Sequence, residues 1–295
     1  MTAVKRLASS VLLAVLWGCI TLTAEPRAVV SGPGGAARVM TLTCGAVARG
    51  LQTAGDSHAG DALDRRPFRV LVWNIHKQGD SGWERDLSAY AAASDVVLLQ
   101  ETVLQRSLRD ILDDSGLRWV MASSFLLGAD DMGVLTATRI APVSSCTQSA
   151  VEPLIRIPKS AVISWLPITN QRTDTRAGSR ETLAIANVHS INFELSLDAY
   201  RAQLEALADA LAGHRGPIIF AGDFNTWSDA RDRVVAGITA RLGLIELDLR
   251  VDQRAVFFGR HLDHIFIRGL QIVDVSAVPV TSSDHNPMAA TLRIP

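Results

Sequence analysis

The stretch Ile218-Ile219-Phe220-Ala221-Gly222-Asp223-Phe224-Asn225 decides how this chain is read. An unbroken apolar run ends in Gly-Asp-Phe-Asn, the pattern of a buried strand that delivers polar side chains to its C-terminal edge. In open α/β sheets that edge is where ligands bind. Asp223 and Asn225 are two residues apart, so an extended backbone turns both toward one cleft. A carboxylate beside a carboxamide can orient a water and hold a phosphate oxygen.

Outward from this stretch the pattern recurs. Phe68-Arg69-Val70-Leu71-Val72-Trp73-Asn74 ends in an amide, residues 95–102 end in Gln100, Glu101 and Thr102, and residues 182–189 end in His189. Leu262-Asp263-His264-Ile265-Phe266-Ile267 reads as a strand starting at an acid. Ser283-Asp284-His285-Asn286-Pro287 falls between the last two strands, 271–280 and 288–294. Helices are expected over 83–93, over 103–112 with Thr102 as N-cap, and over 228–242. A fourth spans 195–212, with Leu197, Tyr200, Leu204, Leu207 and Leu211 on one face. Residues 117–124 and 132–138 read as strands, 143–168 as proline-punctuated hairpins and 170–180 as a charged loop. Hairpins mixed with helical connections point to an α/β fold of two packed mixed sheets flanked by helices.

The chain has 295 residues, 48% hydrophobic and 20% charged, enough for a large core and incompatible with disorder over most of its length. A formal charge of −1 gives no global basic field for nucleic acid. At the N-terminus, Lys5 and Arg6 precede an apolar run from Leu7 to Trp17, short for a membrane span and of the right length for an export signal. Leu16-Trp17-Gly18-Cys19 resembles a lipobox, although Trp17 stands where a small residue is usual. Cleavage after Ala24 and an uncleaved anchor stay open beside lipidation of Cys19. The expected organisation is a signal peptide over 1–18, a flexible Gly- and Ala-rich linker over 19–66 and a folded domain over 67–295. Such a protein is periplasmic, tethered to the membrane as a lipoprotein, or secreted. Cys44 and Cys146 can pair in an oxidising compartment, and the sequence leaves that pairing open.

Trp73-Asn74-Ile75, Leu99-Gln100-Glu101-Thr102, Gly222-Asp223-Phe224-Asn225, Leu262-Asp263-His264-Ile265 and Ser283-Asp284-His285-Asn286-Pro287 together resemble the endonuclease/exonuclease/phosphatase superfamily, over residues 68–295. The resemblance implies a four-layered α/β sandwich and a divalent-metal-dependent phosphoesterase, exported from a bacterium. It favours nuclease-like hydrolysis of a phosphodiester. The alternatives are a sphingomyelinase- or phospholipase C-like activity, or a phosphomonoesterase. A non-catalytic binding protein is the reading from another class, and retention of every catalytic position argues against it. The substrate would be nucleic acid or a lipid headgroup, with no obligate protein partner.

Carried over residue by residue, Asn74, Glu101 and Asp284 would hold Mg²⁺, with Mn²⁺ as a substitute; few hard oxygen donors suit a Mg²⁺ that keeps waters. Asp263 would fix and charge His285, Asp223 would orient or deprotonate the attacking water, and Asn225 would hold that water or a phosphate oxygen. His189 would contact the scissile phosphate or assist the leaving group. The choice of base between Asp223 and His285 stays open. Two departures stand out. His264 follows Asp263 and reads as a neighbour, and Ser190-Ile191-Asn192-Phe193-Glu194 follows His189, placing Asn192 near substrate. Arg139 is a further candidate substrate contact, and Phe257-Phe258 is the apolar pair expected of a lipid-directed cleft.

Overall fold

The computed structural model describes residues 20–22, 27–32, 36–44, 62–169, 181–249 and 251–295. Its strands are β1 (Ile20–Thr21), β2 (Arg27–Ser31), β3 (Ala37–Met40), β4 (Phe68–Asn74), β5 (Val96–Val103), β6 (Arg118–Leu127), β7 (Asp130–Thr138), β8 (Ser144–Val151), β9 (Pro158–Pro167), β10 (Thr182–His189), β11 (Ile218–Asp223), β12 (Ile245–Glu246), β13 (Val256–Phe257), β14 (Arg260–His261), β15 (Asp263–Arg268), β16 (Gln271–Ala277) and β17 (Met288–Arg293). The helices are α1 (Trp83–Ala92), α2 (Arg106–Asp114), α3 (Asp198–Leu211) and α4 (Asp229–Leu242). One sheet runs β16-β17-β4-β5-β7-β6-β2-β3, with β1 on β6; the other runs β12-β15-β11-β10-β9-β8.

Period-two alternation sorts the side chains into layers. Val70, Val72, Val96 and Leu98 from the first sheet meet Ile185, Ile219, Ala221 and Ile265 from the second in one interlayer core. The intervening residues face outward. Leu71, Trp73, Val97 and Leu99 pack on Trp83, Leu87, Leu108 and Leu112 of α1 and α2. Ile218 and Phe220 pack on Tyr200, Leu204, Leu207, Val234 and Ile238 of α3 and α4. The result is the α/β/β/α sandwich that the motifs implied. Burial of each such Val, Leu or Ile contributes about 1.5–3 kcal/mol, so these three cores dominate stability.

Local differences have identifiable causes. Thr102 caps no helix: β5 continues to Val103, and α2 starts only at Arg106. The third helix starts at Asp198, later than the periodicity suggests, because the Glu194 carboxylate accepts the N–H groups of Ala199 and Tyr200 in its first turn. The charged loop 170–180 and the export signal with Cys19 lie outside the described residues.

Within the segment expected as a flexible linker over 19–66, the described residues include strands that belong to the fold. β2 pairs with β6, and β3 extends the same sheet. Ala28 and Val29 are buried, which draws the segment onto the sheet despite its small-residue composition. Cys44, just past β3, is disulfide-bonded to Cys146 on β8, 102 residues away. The bond joins the rim of one sheet to the rim of the other. By constraining the unfolded chain it should contribute about 2–5 kcal/mol. Reduction is therefore expected to lower the thermal unfolding midpoint by several degrees; an unchanged midpoint, with thiol release confirmed, would mean the bond constrains nothing.

Candidate active site

β4 and β5 pair in parallel, as do β10 and β11, so Asn74, Glu101, His189 and Asp223 all arrive at the same edge. Asp263 opens β15, which runs antiparallel to β11 and sets Asp263 opposite Asp223. Asp284 and His285 precede β17, antiparallel to β4, and return to that edge from the other side. Topology alone gathers the residues.

Backbone exceptions then aim them. The β5–β7 register breaks between Leu99 and Thr102, and Glu101 inside the break has φ 51°. Such a bulge redirects a side chain that regular pleating would place elsewhere. Gly222 has φ 136°, and a Cβ there would lie 2.1 Å from the Val188 carbonyl oxygen. Only glycine fits, and the kink presents Asp223. Asn225 also has positive φ, as do the consecutive residues His76, Lys77 and Gln78. Each non-glycine residue so held costs about 1–3 kcal/mol.

Asp223 sits at the centre. Its Oδ2 accepts the Asn74 carboxamide N–H at 2.9 Å, and its Oδ1 accepts the Asn225 backbone N–H at 2.9 Å. The Asn225 side chain donates to the Ser190 carbonyl at 2.9 Å. His285 Nδ1 lies 2.6 Å from Asp263 Oδ2, and Asp223, Asp263 and His285 place ligand-capable atoms within 4.8 Å of one another. His189 Nε2 is 3.6 Å from Asp223 and 3.8 Å from Glu101. Asp284 is half exposed, 3.7 Å from His76 Nδ1. All eight expected residues reach the same end of the sheets.

Two lysines complete the site, and sequence reasoning passed over both. Lys159 Nζ lies 2.7 Å from His189 Nε2, and Lys77 Nζ is ion-paired with Glu101. A lysine ammonium only donates, so His189 Nε2 must accept and its ring is neutral with the proton on Nδ1. Burial, then the Lys159 charge, pushes the His189 imidazole down to about 3. Burial alone would raise Glu101, but the Lys77 and Lys159 ammonium groups hold its carboxyl well below the usual carboxylate range. Burial likewise opposes charge on His285, yet Asp263 lifts it to about 10. The two histidines, alike in sequence, take opposite protonation states.

Other expected contacts are used structurally. The Asn192 side-chain oxygen accepts the Trp227 indole N–H at 2.9 Å. His264 sits between Glu246 at 2.6 Å and Thr226 at 2.7 Å. Arg139 is not at the site; it braces the opposite edge by donating to the Ser115 and Ser94 carbonyls, each at 2.9 Å. A cavity of about 730 Å³ at that opposite edge, beside Asp95 and Arg139, is lined by none of the candidate site residues. Sequence reasoning also missed Arg231. Fully buried on α4, it donates to the carbonyls of Ile191 and Asn192 at 2.6 and 2.8 Å and fixes the loop after His189. Its spacing on an amphipathic helix looks like that of an apolar position, which was the available signal.

The oxygen donors of Asn74, Glu101 and Asp284 match the chemistry of a hard divalent cation. The position of Lys77 supports this fit, since a positive charge is already accommodated at Glu101. His285 is a poorer ligand, because its Nδ1 is committed to Asp263 and the ring is protonated.

The chain belongs to the endonuclease/exonuclease/phosphatase family, whose model matches residues 71–285. It is 38% identical over 221 residues to a UPF0294 protein of Yersinia pestis, covering 75% of this chain and 82% of that one. It is 30% identical over 283 residues to a UPF0294 protein of Vibrio cholerae, covering 96% and 94%. The fold is similar to an endonuclease/exonuclease/phosphatase from Beutenbergia cavernae (TM-score 0.59, 18% identity, 78% and 72% coverage). It is also similar to D. rerio TDP2 complexed with a single-strand DNA product (TM-score 0.54, 16% identity, 77% and 99% coverage). Members of the family are generally hydrolases of phosphate esters and typically use divalent metals.

The His285 pairing carries a pH signature. In metal-free protein its ring should stay protonated until about pH 10. Because this value is raised over the unfolded one, the associated stability is complete below about pH 6.5 and is lost as pH rises through the folded value. NMR titration of the ring Cε1 proton reads this directly, and Asp263→Asn should return the midpoint toward about 6.5; a wild-type midpoint already there would break the assignment.

Proposed function

We propose that this protein is a divalent-metal-dependent phosphoesterase that hydrolyses a phosphodiester. The observation that carries the reading is the buried Asp223, held by Asn74 and Asn225 and facing a protonated His285 paired with Asp263. Asp223 is positioned to orient a water and take its proton. The water oxygen bonds to phosphorus, the ester P–O bond breaks, and the departing oxygen takes up a proton. The imidazolium of His285 stabilises charge growing on the phosphoryl oxygens. Neutral His189 and the Lys159 ammonium face the phosphate from the other side. Asn74, Glu101 and Asp284 would hold the metal, which supplies Lewis-acid stabilisation of a phosphoryl or leaving oxygen. Mg²⁺ suits these donors, with Mn²⁺ as a substitute. Nuclease-like cleavage draws support from the likeness to TDP2, whose structure holds a DNA product. A net charge of −1 adds nothing to it.

Export is also part of this reading. The Cys44–Cys146 disulfide supports a periplasmic, lipid-anchored or secreted location, because such bonds persist in oxidising compartments. Among the described residues no helix is long and apolar enough to cross a membrane.

Chelator-stripped protein should regain hydrolysis of bis(p-nitrophenyl) phosphate on addition of Mg²⁺; plasmid nicking in parallel separates a nuclease from an esterase of smaller diesters. His285→Ala should lose roughly 10²–10⁴-fold in kcat while keeping its circular dichroism. Unchanged turnover would sink the mechanism. Glu101→Gln should weaken Mg²⁺ binding by calorimetry, and undiminished affinity would remove Glu101 from the ligand set.

A further inference from the structure

Beside the catalytic residues lies a cavity of about 130 Å³. Lys77, Glu101, Lys159 and His189 line part of it, and its apolar walls include Phe125, Met132, Ile155, Ile157 and Phe193. These walls do not belong to the three large cores. Val103, Phe125 and Met132 form a separate small cluster, with Ile157 packed partly buried against it. Ile155, Ile157 and Phe193 stay partly exposed beside this small cluster. Most polar groups of the lining are already paired: Ser124 donates to Ser160, and Glu152 Oε1 accepts the N–H groups of Asn192 and Phe193, while its Oε2 has no partner among the described residues.

We propose that this cavity is the subsite for an apolar arm of the substrate, esterified to the phosphate that the site attacks. The proposal rests on the phosphodiesterase reading and names the substrate class, an amphiphilic phosphoester. The lining suits it: the Lys77 and Lys159 ammonium groups and the His189 imidazole would meet the phosphate, and the hydrocarbon and aromatic surface of the same cavity would meet the arm. The size is comparable to an apolar cavity of about 150 Å³ that takes up benzene, so one six-membered ring or a short alkyl segment fills it. Such an arm comes either from an aryl ester or from the first carbons of a lipid chain. A nucleoside is a poorer occupant, since a mostly apolar space of this size would leave most of its sugar and base polar groups unpaired.

The test is calorimetric titration of the full-length protein, with Mg²⁺ present, by methyl-, phenyl- and n-hexylphosphonate and by thymidine 5′-monophosphate. Phenyl- or hexylphosphonate should bind about tenfold or more tighter than methylphosphonate, the order expected for burying a few carbons. Preference for phenyl identifies the aryl source and preference for hexyl the lipid source; either upholds the subsite. Ile157→Trp, at the partly exposed rim, should abolish the preference and leave methylphosphonate affinity unchanged. Ile155→Trp provides a second variant should the first fail to fold. Equal affinity for methyl and apolar phosphonates would overturn the proposal, as would an apolar preference that survives both tryptophan variants. So would tighter binding of thymidine monophosphate than of phenylphosphonate. Binding is read without turnover, so a protein that shows the preference but hydrolyses no diester refutes the phosphodiesterase reading and retains the subsite.

Discussion

The two sheets are tied together by side-chain hydrogen bonds that cross an otherwise apolar interlayer. Gln100 of β5 donates to Asn187 of β10 at 2.6 Å, and Asn187 in turn donates to the Leu135 carbonyl of β7 at 2.9 Å. Asn74 of β4 donates to Asp223 of β11 at the cleft end of the same seam. All four residues are buried, so loss of one partner would leave an unpaired polar group at a cost of about 1–3 kcal/mol. Hydrophobic packing brings sheets together but tolerates sliding. These directional bonds fix one relative register, and every distance at the site depends on it.

That seam separates two electrostatic settings a few ångströms apart. On one side Asp263 and Asp223 surround His285 and keep it charged. On the other, Lys159 and burial keep His189 neutral while Lys77 neutralises Glu101. The chain as a whole is nearly uncharged, yet its cleft has a charged donor and a neutral imidazole in fixed places. Net charge is a poor guide to such a site, because the effective interactions are short and shielded from water.

Much of the fold was legible because apolar runs of period two ended in polar residues of distinct type. The same rule that made Ile219 and Ala221 interlayer residues made Ile218 and Phe220 helix-facing ones. Convergence of Asn74, Glu101, His189, Asp223, Asn225, Asp263, Asp284 and His285 was legible from the motif order. Lys77 and Lys159 were not, since an isolated lysine in a loop or at a strand start has the signature of a solvated surface. The edge strands β2 and β3 were obscured by small residues that resemble a linker, and their order comes from β6 and from the bond to Cys146. The Glu101 bulge was hidden for a different reason: its cause is the pairing of β5 with β7, which no local pattern encodes.

The left-handed backbone at His76, Lys77, Gln78, Glu101 and Asn225 bears on how this protein could be made sturdier. Glycine at these positions, or asparagine at the four that lack it, would relax the local conformation, so a screen for thermostability would be drawn to them. Two of the five are among the residues expected from the motifs, and a third ion-pairs with Glu101. Robustness gained there would come at the expense of the geometry that brings the candidate site together. The helix-covered faces, where no backbone is held in this way, are where the molecule can be reinforced without touching its chemistry.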